Sequence, residues 1–187
     1  MKLFSMSKQL YLIALVPPED LRDEVRDLKL EMKEKFNASH ALKAPAHITL
    51  QMPFRRDEAG EETLIPALEK FAGNQKSFNI YINGFDAFPP RVIFLKIEDH
   101  TPIGDLHSDL QLNLKNTLNF PEKELMNRFH PHMTIATRDL SKKMFHKAWP
   151  EFQEREFESS FTANSLHLLK HNGKNWDLFR EFGFGNR

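Results

Sequence analysis

Apolar and polar positions along the chain alternate with two different periods, and the changes of period mark the elements. Residues 10–16, Leu-Tyr-Leu-Ile-Ala-Leu-Val, form a continuous apolar run that stops at Pro17-Pro18, the length and punctuation of a buried strand. Residues 19 to about 36 follow with Leu21, Val25, Leu28, Leu30, Met32 and Phe36 spaced among charges, which predicts a helix with one apolar face. An apolar, β-branched stretch around Ile48 reads as a second strand. Residues 58 to about 71 carry Leu64, Ile65, Leu68 and Phe71 at helical spacing. Residues 77–88 and 91–97 are β-rich, and Pro89-Pro90 between them forbids continued ladder pairing and predicts a hairpin. A helix over about 103–118 and a strand at 132–135 come next, then a helix from 140 to about 152 that Pro150 is expected to break. Residues 156–162, 165–171 and 176–184 read as strands, with Asn172-Gly173 marking a tight turn. Helices and strands interleave in units able to pair antiparallel, which gives the class α+β. No Pro-rich, Gly-rich or low-complexity linker divides the chain, so one domain over residues 1–187 is expected.

The order strand, helix, strand occurs twice, and each second strand carries the same tripeptide pattern. His47-Ile48-Thr49-Leu50 and His132-Met133-Thr134-Ile135 lie 85 residues apart (132 minus 47), and the apolar strands ahead of them are offset by 82 (92 minus 10). This is a long-period internal duplication. Side chains of a strand alternate faces, so His47 and Thr49 share one face while Ile48 and Leu50 point into the core; His132 and Thr134 repeat the arrangement. By the same parity Gln51 falls on the face of His47 and Thr49, either lining a cleft or standing exposed. Two such strands side by side aim two imidazoles and two hydroxyls into one space. An imidazole takes or gives a proton near neutral pH and a hydroxyl donates to an anion, so the set reads as a metal-free acid/base site for a phosphate ester.

Composition narrows the choice. The chain has 187 residues, 40% hydrophobic with 17 Phe, enough for a sizeable core. Lys+Arg equal Asp+Glu at 26 each, so no global basic field exists to condense on a long nucleic acid, and a phosphate must be held by a local patch. With no cysteine there is no disulfide, thiolate metal site or Cys nucleophile, in keeping with a cytoplasmic setting. The run 10–16 is too short for a membrane span and meets Pro17-Pro18-Glu19-Asp20 without a small-residue cleavage site, so it is read as a strand and not a signal segment.

At this point the chain resembles the two-histidine (2H) phosphoesterase superfamily, and within it the 2′-5′ RNA ligase-like and cyclic phosphodiesterase group. The carriers are residues 45–50 (Pro-Ala-His-Ile-Thr-Leu), residues 128–136 (Arg-Phe-His-Pro-His-Met-Thr-Ile-Ala), the opening strand 11–16, and the order of helices between them. The resemblance implies a bilobal, pseudo-twofold α+β fold in which duplicated strand-helix-strand units form antiparallel sheets around a central groove. It also implies hydrolysis with no metal and no nucleotide cofactor. The expected substrate is an RNA end or a small nucleotide carrying a 2′,3′-cyclic phosphate, opened to a 2′-phosphate. His47 and His132 are the expected acid and base, interchangeable at this stage, with Thr49 and Thr134 on the phosphate oxygens. Arg138 resembles the arginine that many family members place behind the second motif to bind phosphate; the spacing here is one residue longer, and a solvated charge at a helix start is the competing reading.

Other residues carry weaker expectations. Lys43 and Arg55 read as surface charges. Phe54 or Phe129 could stack a base, but the core is the preferred place for either. His130 and His132 share a strand face and could in principle ligate a metal; with no carboxylate or further His at a ligand spacing, His130 is read as a supporting residue. His40, His100, His107, His146, His167 and His171 are expected at the surface or partly buried, away from the chemistry. Internal pseudo-symmetry removes the need for a second subunit, so a monomer is expected. Two other readings stay open: cleavage or weak ligation of 2′-5′ linkages on the same fold, and a non-catalytic pocket that only binds RNA ends.

Overall fold

The computed structural model describes residues 8–185. Its strands form two antiparallel sheets of four. In the first, β2 (Ile48–Arg56), β1 (Gln9–Leu15), β7 (Ser165–His171) and β8 (Trp176–Gly183) lie in that order; in the second the order is β5 (His132–Ala136), β4 (Val92–Ile97), β3 (Phe78–Phe88) and β6 (Glu158–Ala163). The sheets correspond strand for strand. Each motif strand, β2 or β5, is an edge strand beside the apolar strand that opens its unit, β1 or β4.

Four helices, α1 (Glu19–Phe36), α2 (Glu58–Gly73), α3 (Thr101–Asn116) and α4 (Lys142–Gln153), cover the sheets. The two crossover helices exchange sides. α1 leaves the first sheet and packs against β5 of the second, while α3 leaves the second and packs against β2 of the first. β2 and β5 also touch across the junction. The lobes are therefore intertwined, and the motif strands face each other where they meet.

Local chemistry sets the helix ends. Glu19 and Asp20 sit in the first turn of α1, where carboxylates favour the positive end of the helix dipole. Asn37 closes it in the left-handed conformation (φ 57°), its N–H on the Lys33 carbonyl. The Asp57 carboxylate caps α2 by accepting from Gly60 N at 2.8 Å, and the Ser141 hydroxyl caps α4 by accepting from Met144 N. Pro150, expected to break the last helix, lies inside α4, which continues to Gln153. It sits at an exposed position, and the buried stripe Phe145, Ala148 and Phe152 holds the final turn in place. On α1 the buried stripe is Leu21, Val25, Leu28, Met32 and Phe36, as the spacing predicts, except that Leu30 is only half-buried and Lys29 takes a core position at 3% exposure.

The strand register corrects two expectations. Thr49 pairs with Ala14 but Gln51 pairs with Ile13, so Leu50 is an extra, bulged residue. Thr134 pairs with Phe94 and Ala136 with Ile93, so Ile135 is bulged at the equivalent place. Both motif strands thus carry a β-bulge on the residue after the threonine. A bulge reverses the side-chain parity beyond it. Gln51 consequently turns away from Thr49 into the interior, where it is 1% exposed, and does not line the cleft. Matching Ala14 to Phe94 also makes the offset of the opening strands 80 (94 minus 14) rather than 82.

Candidate active site

Between the sheets lies a cavity of about 620 Å³, and both motifs open into it: His47, Thr49, His132 and Thr134 are all on its wall. Backbone geometry fixes the two imidazoles in the same way. His47 Nδ1 is 2.8 Å from the carbonyl of Pro45, and His132 Nδ1 is 2.6 Å from the carbonyl of His130. A carbonyl only accepts, so each ring carries its proton on Nδ1 and, when neutral, presents the lone pair of Nε2. Neither threonine hydroxyl is engaged among the described residues, which leaves both free for a ligand. Sequence reasoning did not find the two orienting carbonyls; a main-chain acceptor two residues before each histidine leaves no mark in side-chain chemistry.

Burial dominates the electrostatics of the pair. The half-buried His47 ring is pushed from 6.5 down to about 4, first by desolvation and further by the charges of Lys29 and His132, against the opposing bond to Pro45. His132 is also lowered by desolvation and by His130, against the bond to the His130 carbonyl. It stands in an aromatic box, with ring centroids 4.9 Å from Phe94 and 5.2 Å from Phe88.

Charge is concentrated here although the chain is neutral. Lys29, Lys43, Arg128 and Arg138 line the cavity together with His40, His130 and His171, and among the described residues no Asp or Glu does. Arg138 reaches the wall from a left-handed backbone position (φ 54°) just after β5, so the expected residue is at the cleft despite the longer spacing. Lys43, read as an ordinary surface charge, is exposed but also borders the cleft, whereas Arg55 stays outside and donates to the Lys8 carbonyl. Phe54 is a core residue at 3% exposure. Phe129 instead lines the cavity, stacked flat on His107 with centroids 4.0 Å apart. His40 and His171, expected to lie away from the chemistry, and Trp176 from β8 complete the wall. His171 and Trp176 arrive by long-range sheet pairing and His40 by its backbone bond to Asp139, and no local pattern reports either. His130 meets Phe88, Phe94 and His100 edge-on and is tilted against His132, and among the described residues no three side chains of ligating type converge into a metal site.

Two clamps hold the cleft walls together, and they mirror each other. The Asp139 carboxylate, just after the second motif strand, accepts from the backbone N–H of Ser39 and of His40, ahead of the first motif. Gln51, just after the first motif, donates to the Glu124 carbonyl ahead of the second, and Gln111 of α3 ties Leu50 and Met126 into the same network. The residues just past each motif thus meet the approach to the other.

Two His-x-Thr strands related by pseudo-twofold symmetry and facing one cationic groove define a two-histidine phosphoesterase. The chain belongs to the 2′-5′ RNA ligase superfamily, whose sequence profile matches residues 17–175. It is 28% identical over 182 residues to a candidate phosphoesterase of Geobacillus kaustophilus, covering 95% of this chain and 97% of that protein. A second candidate phosphoesterase, from Oceanobacillus iheyensis, is 26% identical over 178 residues, covering 94% and 98%. Crystal structures of LigT of Escherichia coli share the fold: the complex with ATP superimposes with TM-score 0.65 and the complex with 3′-AMP with 0.64, each at 17% identity over 95% of this chain and 99% of LigT. No helix among the described residues is long and apolar enough to cross a membrane.

Proposed function

We propose that the cleft hydrolyses 2′,3′-cyclic phosphate ends of RNA or nucleotides to a 2′-phosphate, with His47 and His132 as proton acceptor and donor. The observation that carries this reading is the pair of equivalent imidazoles, each with Nδ1 tied to a carbonyl and Nε2 free, in a groove lined by cations and no carboxylate. A cyclic phosphodiester bears one negative charge and needs a base for the attacking water and an acid for the departing ribose oxygen. The more strongly desolvated His47 stays neutral and takes the water proton as oxygen attacks phosphorus. His132 gives its proton to the 3′ oxygen as the ring opens. Each transfer contributes on the order of 10²–10⁴ in rate. Thr49 and Thr134 donate to the nonbridging oxygens, and Arg138 supplies a forked donor to the same group. Phe129, Phe88 and Trp176 offer ring faces and edges for a base beside the phosphate.

A second reading keeps these residues and changes the bond: cleavage or joining of 2′-5′ linkages, which the superfamily's own name favours. The deciding experiment incubates the protein in EDTA with 2′,3′-cyclic nucleotides, a cyclic-ended oligoribonucleotide, and 2′-5′ and 3′-5′ linked dinucleotides, and identifies the product ends. Ring opening to a 2′-phosphate with intact linkages is the expected result. Turnover confined to 2′-5′ linkages replaces it with the second reading, and tight binding without turnover on any substrate replaces both with a binding pocket.

A further inference from the structure

The two motif histidines are related by pseudo-symmetry, yet an acid/base pair must be unequal. The crossover helices carry a difference at one matching position. Lys29 is the eleventh residue of α1 and Gln111 the eleventh residue of α3. Each side chain reaches the chain segment that leads into its own unit's motif. Lys29 Nζ donates to the Ala44 carbonyl at 3.0 Å, and Gln111 Oε1 accepts from Met126 N at 2.8 Å. Ala44 is bonded to Pro45, whose carbonyl orients His47. Lys29 therefore stands one peptide unit from the acceptor that fixes the ring.

A lysine at 3% exposure without a carboxylate is costly, because the ammonium gives up hydration with no counter-charge in return. Among the described residues neither Asp nor Glu pairs with Lys29, and its side chain borders the cleft. Desolvation brings it down to about 8, so it remains charged throughout the range in which His47 titrates. Burial weighs most on His47; besides it, the Pro45 carbonyl favours the charged ring, and the Lys29 ammonium from α1 and His132 of the second motif oppose it. His40, Lys43, Arg128, His130 and Arg138 line the rest of the same cavity, and none of them is negative. Nothing there offsets the lysine. On the other side, Gln111 places a neutral amide where Lys29 has a charge, and the like charge that acts on His132 comes from its neighbour His130 and not from the crossover helix.

We propose that Lys29 is the positioning residue that makes the two histidines unequal: its buried charge, anchored on the carbonyl before Pro45, keeps His47 the neutral partner, while Gln111 at the matching helical position leaves His132 able to hold the proton. The inference rests on reading the two histidines as an acid/base pair, and it is tested without relying on turnover.

The test is an NMR titration of the imidazole resonances in wild type, Lys29→Gln and Lys29→Arg. Lys29→Gln copies the Gln111 side, and the His47 midpoint is expected to rise by on the order of one pH unit while that of His132 stays in place. Lys29→Arg, which keeps the charge, holds the His47 midpoint at its wild-type value. A His47 midpoint that stays put or falls in Lys29→Gln overturns the proposal. Should that variant fail to fold, Gln111→Lys serves in its place: the His132 midpoint then falls, and an unmoved midpoint overturns the proposal equally. In active protein the rising limb of kcat/KM moves upward with His47. A shifted midpoint in a protein that turns over no cyclic phosphate leaves the Lys29 assignment standing and removes the phosphodiesterase.

Discussion

Burial sets the chemistry of single residues here, and it has consequences for both rate and stability. His47 is lowered to about 4 and His132 is lowered from 6.5. The base must be neutral and the acid protonated, so kcat/KM rises with pH as His47 loses its proton and falls as His132 loses its own. A bell with its optimum on the acid side of 6.5 is therefore expected, its limbs belonging to the coupled pair. The kcat profile, which reports on the complex, should lie at higher pH, because a bound phosphate anion favours the imidazolium. Stability follows the same sign. His47, His107, His132 and His167 all have lowered values in the fold, so the unfolded chain binds more protons between 6.5 and the folded values. Their contribution is present above 6.5 and is lost as pH falls, by at most about 1.4 kcal/mol per pH unit for each group. Urea midpoints measured at pH 7 and pH 5 should show this loss, and His47→Gln should reduce it. The histidines and threonines themselves were legible in the sequence because their chemistry lies in their side chains. The Pro45 and His130 carbonyls were not, since any residue supplies a carbonyl.

Bulges, crossovers and clamps decide where those residues point. The opening strands, helices and motif strands were legible because their apolar periods are long and clean. The bulges at Leu50 and Ile135 were not: a strand that adds one residue keeps the same composition, and strict alternation then puts Gln51 on the wrong face. The Gln51 clamp follows from the bulge at Leu50, and its counterpart at Asp139 gives a prediction at this scale. Asp139→Ala removes a carboxylate from two backbone N–H groups, at a cost of about 1–3 kcal/mol per charge-assisted bond if the site is dry and less at this exposed turn. The expected outcome is a fold retained by circular dichroism with kcat/KM reduced about tenfold, because the wall carrying His40 and Arg138 loosens. Wild-type kcat/KM in this variant would remove the clamp from the account. Leu50→Ala, by contrast, empties a fully buried site and should lower stability by about 2–5 kcal/mol.

At the scale of the whole molecule, a neutral chain with 26 basic and 26 acidic residues places four cationic side chains and, among the described residues, no carboxylate on the wall of one groove between two lobes. Composition alone revealed only that any phosphate site had to be local. The grouping of Lys29, Lys43, Arg128 and Arg138 depends on segments from all parts of the chain meeting at the junction, which is why local pattern did not disclose it. Salt should weaken the attraction for a phosphate substrate: KM for a cyclic-ended oligonucleotide is expected to rise several-fold between 0.05 and 0.5 M salt by screening on the order of the Debye length, with kcat little changed. The central claim is that the two motif histidines act as one catalytic unit on phosphorus. Its most direct measurement is the rate of 2′,3′-cyclic nucleotide hydrolysis in EDTA by wild type, His47→Ala, His132→Ala and the double variant. Each single variant is expected to lose at least about 10² in kcat, with the double variant scarcely worse than the weaker single one, as befits groups that work together. Additive losses, or substantial turnover with either histidine removed, would contradict it.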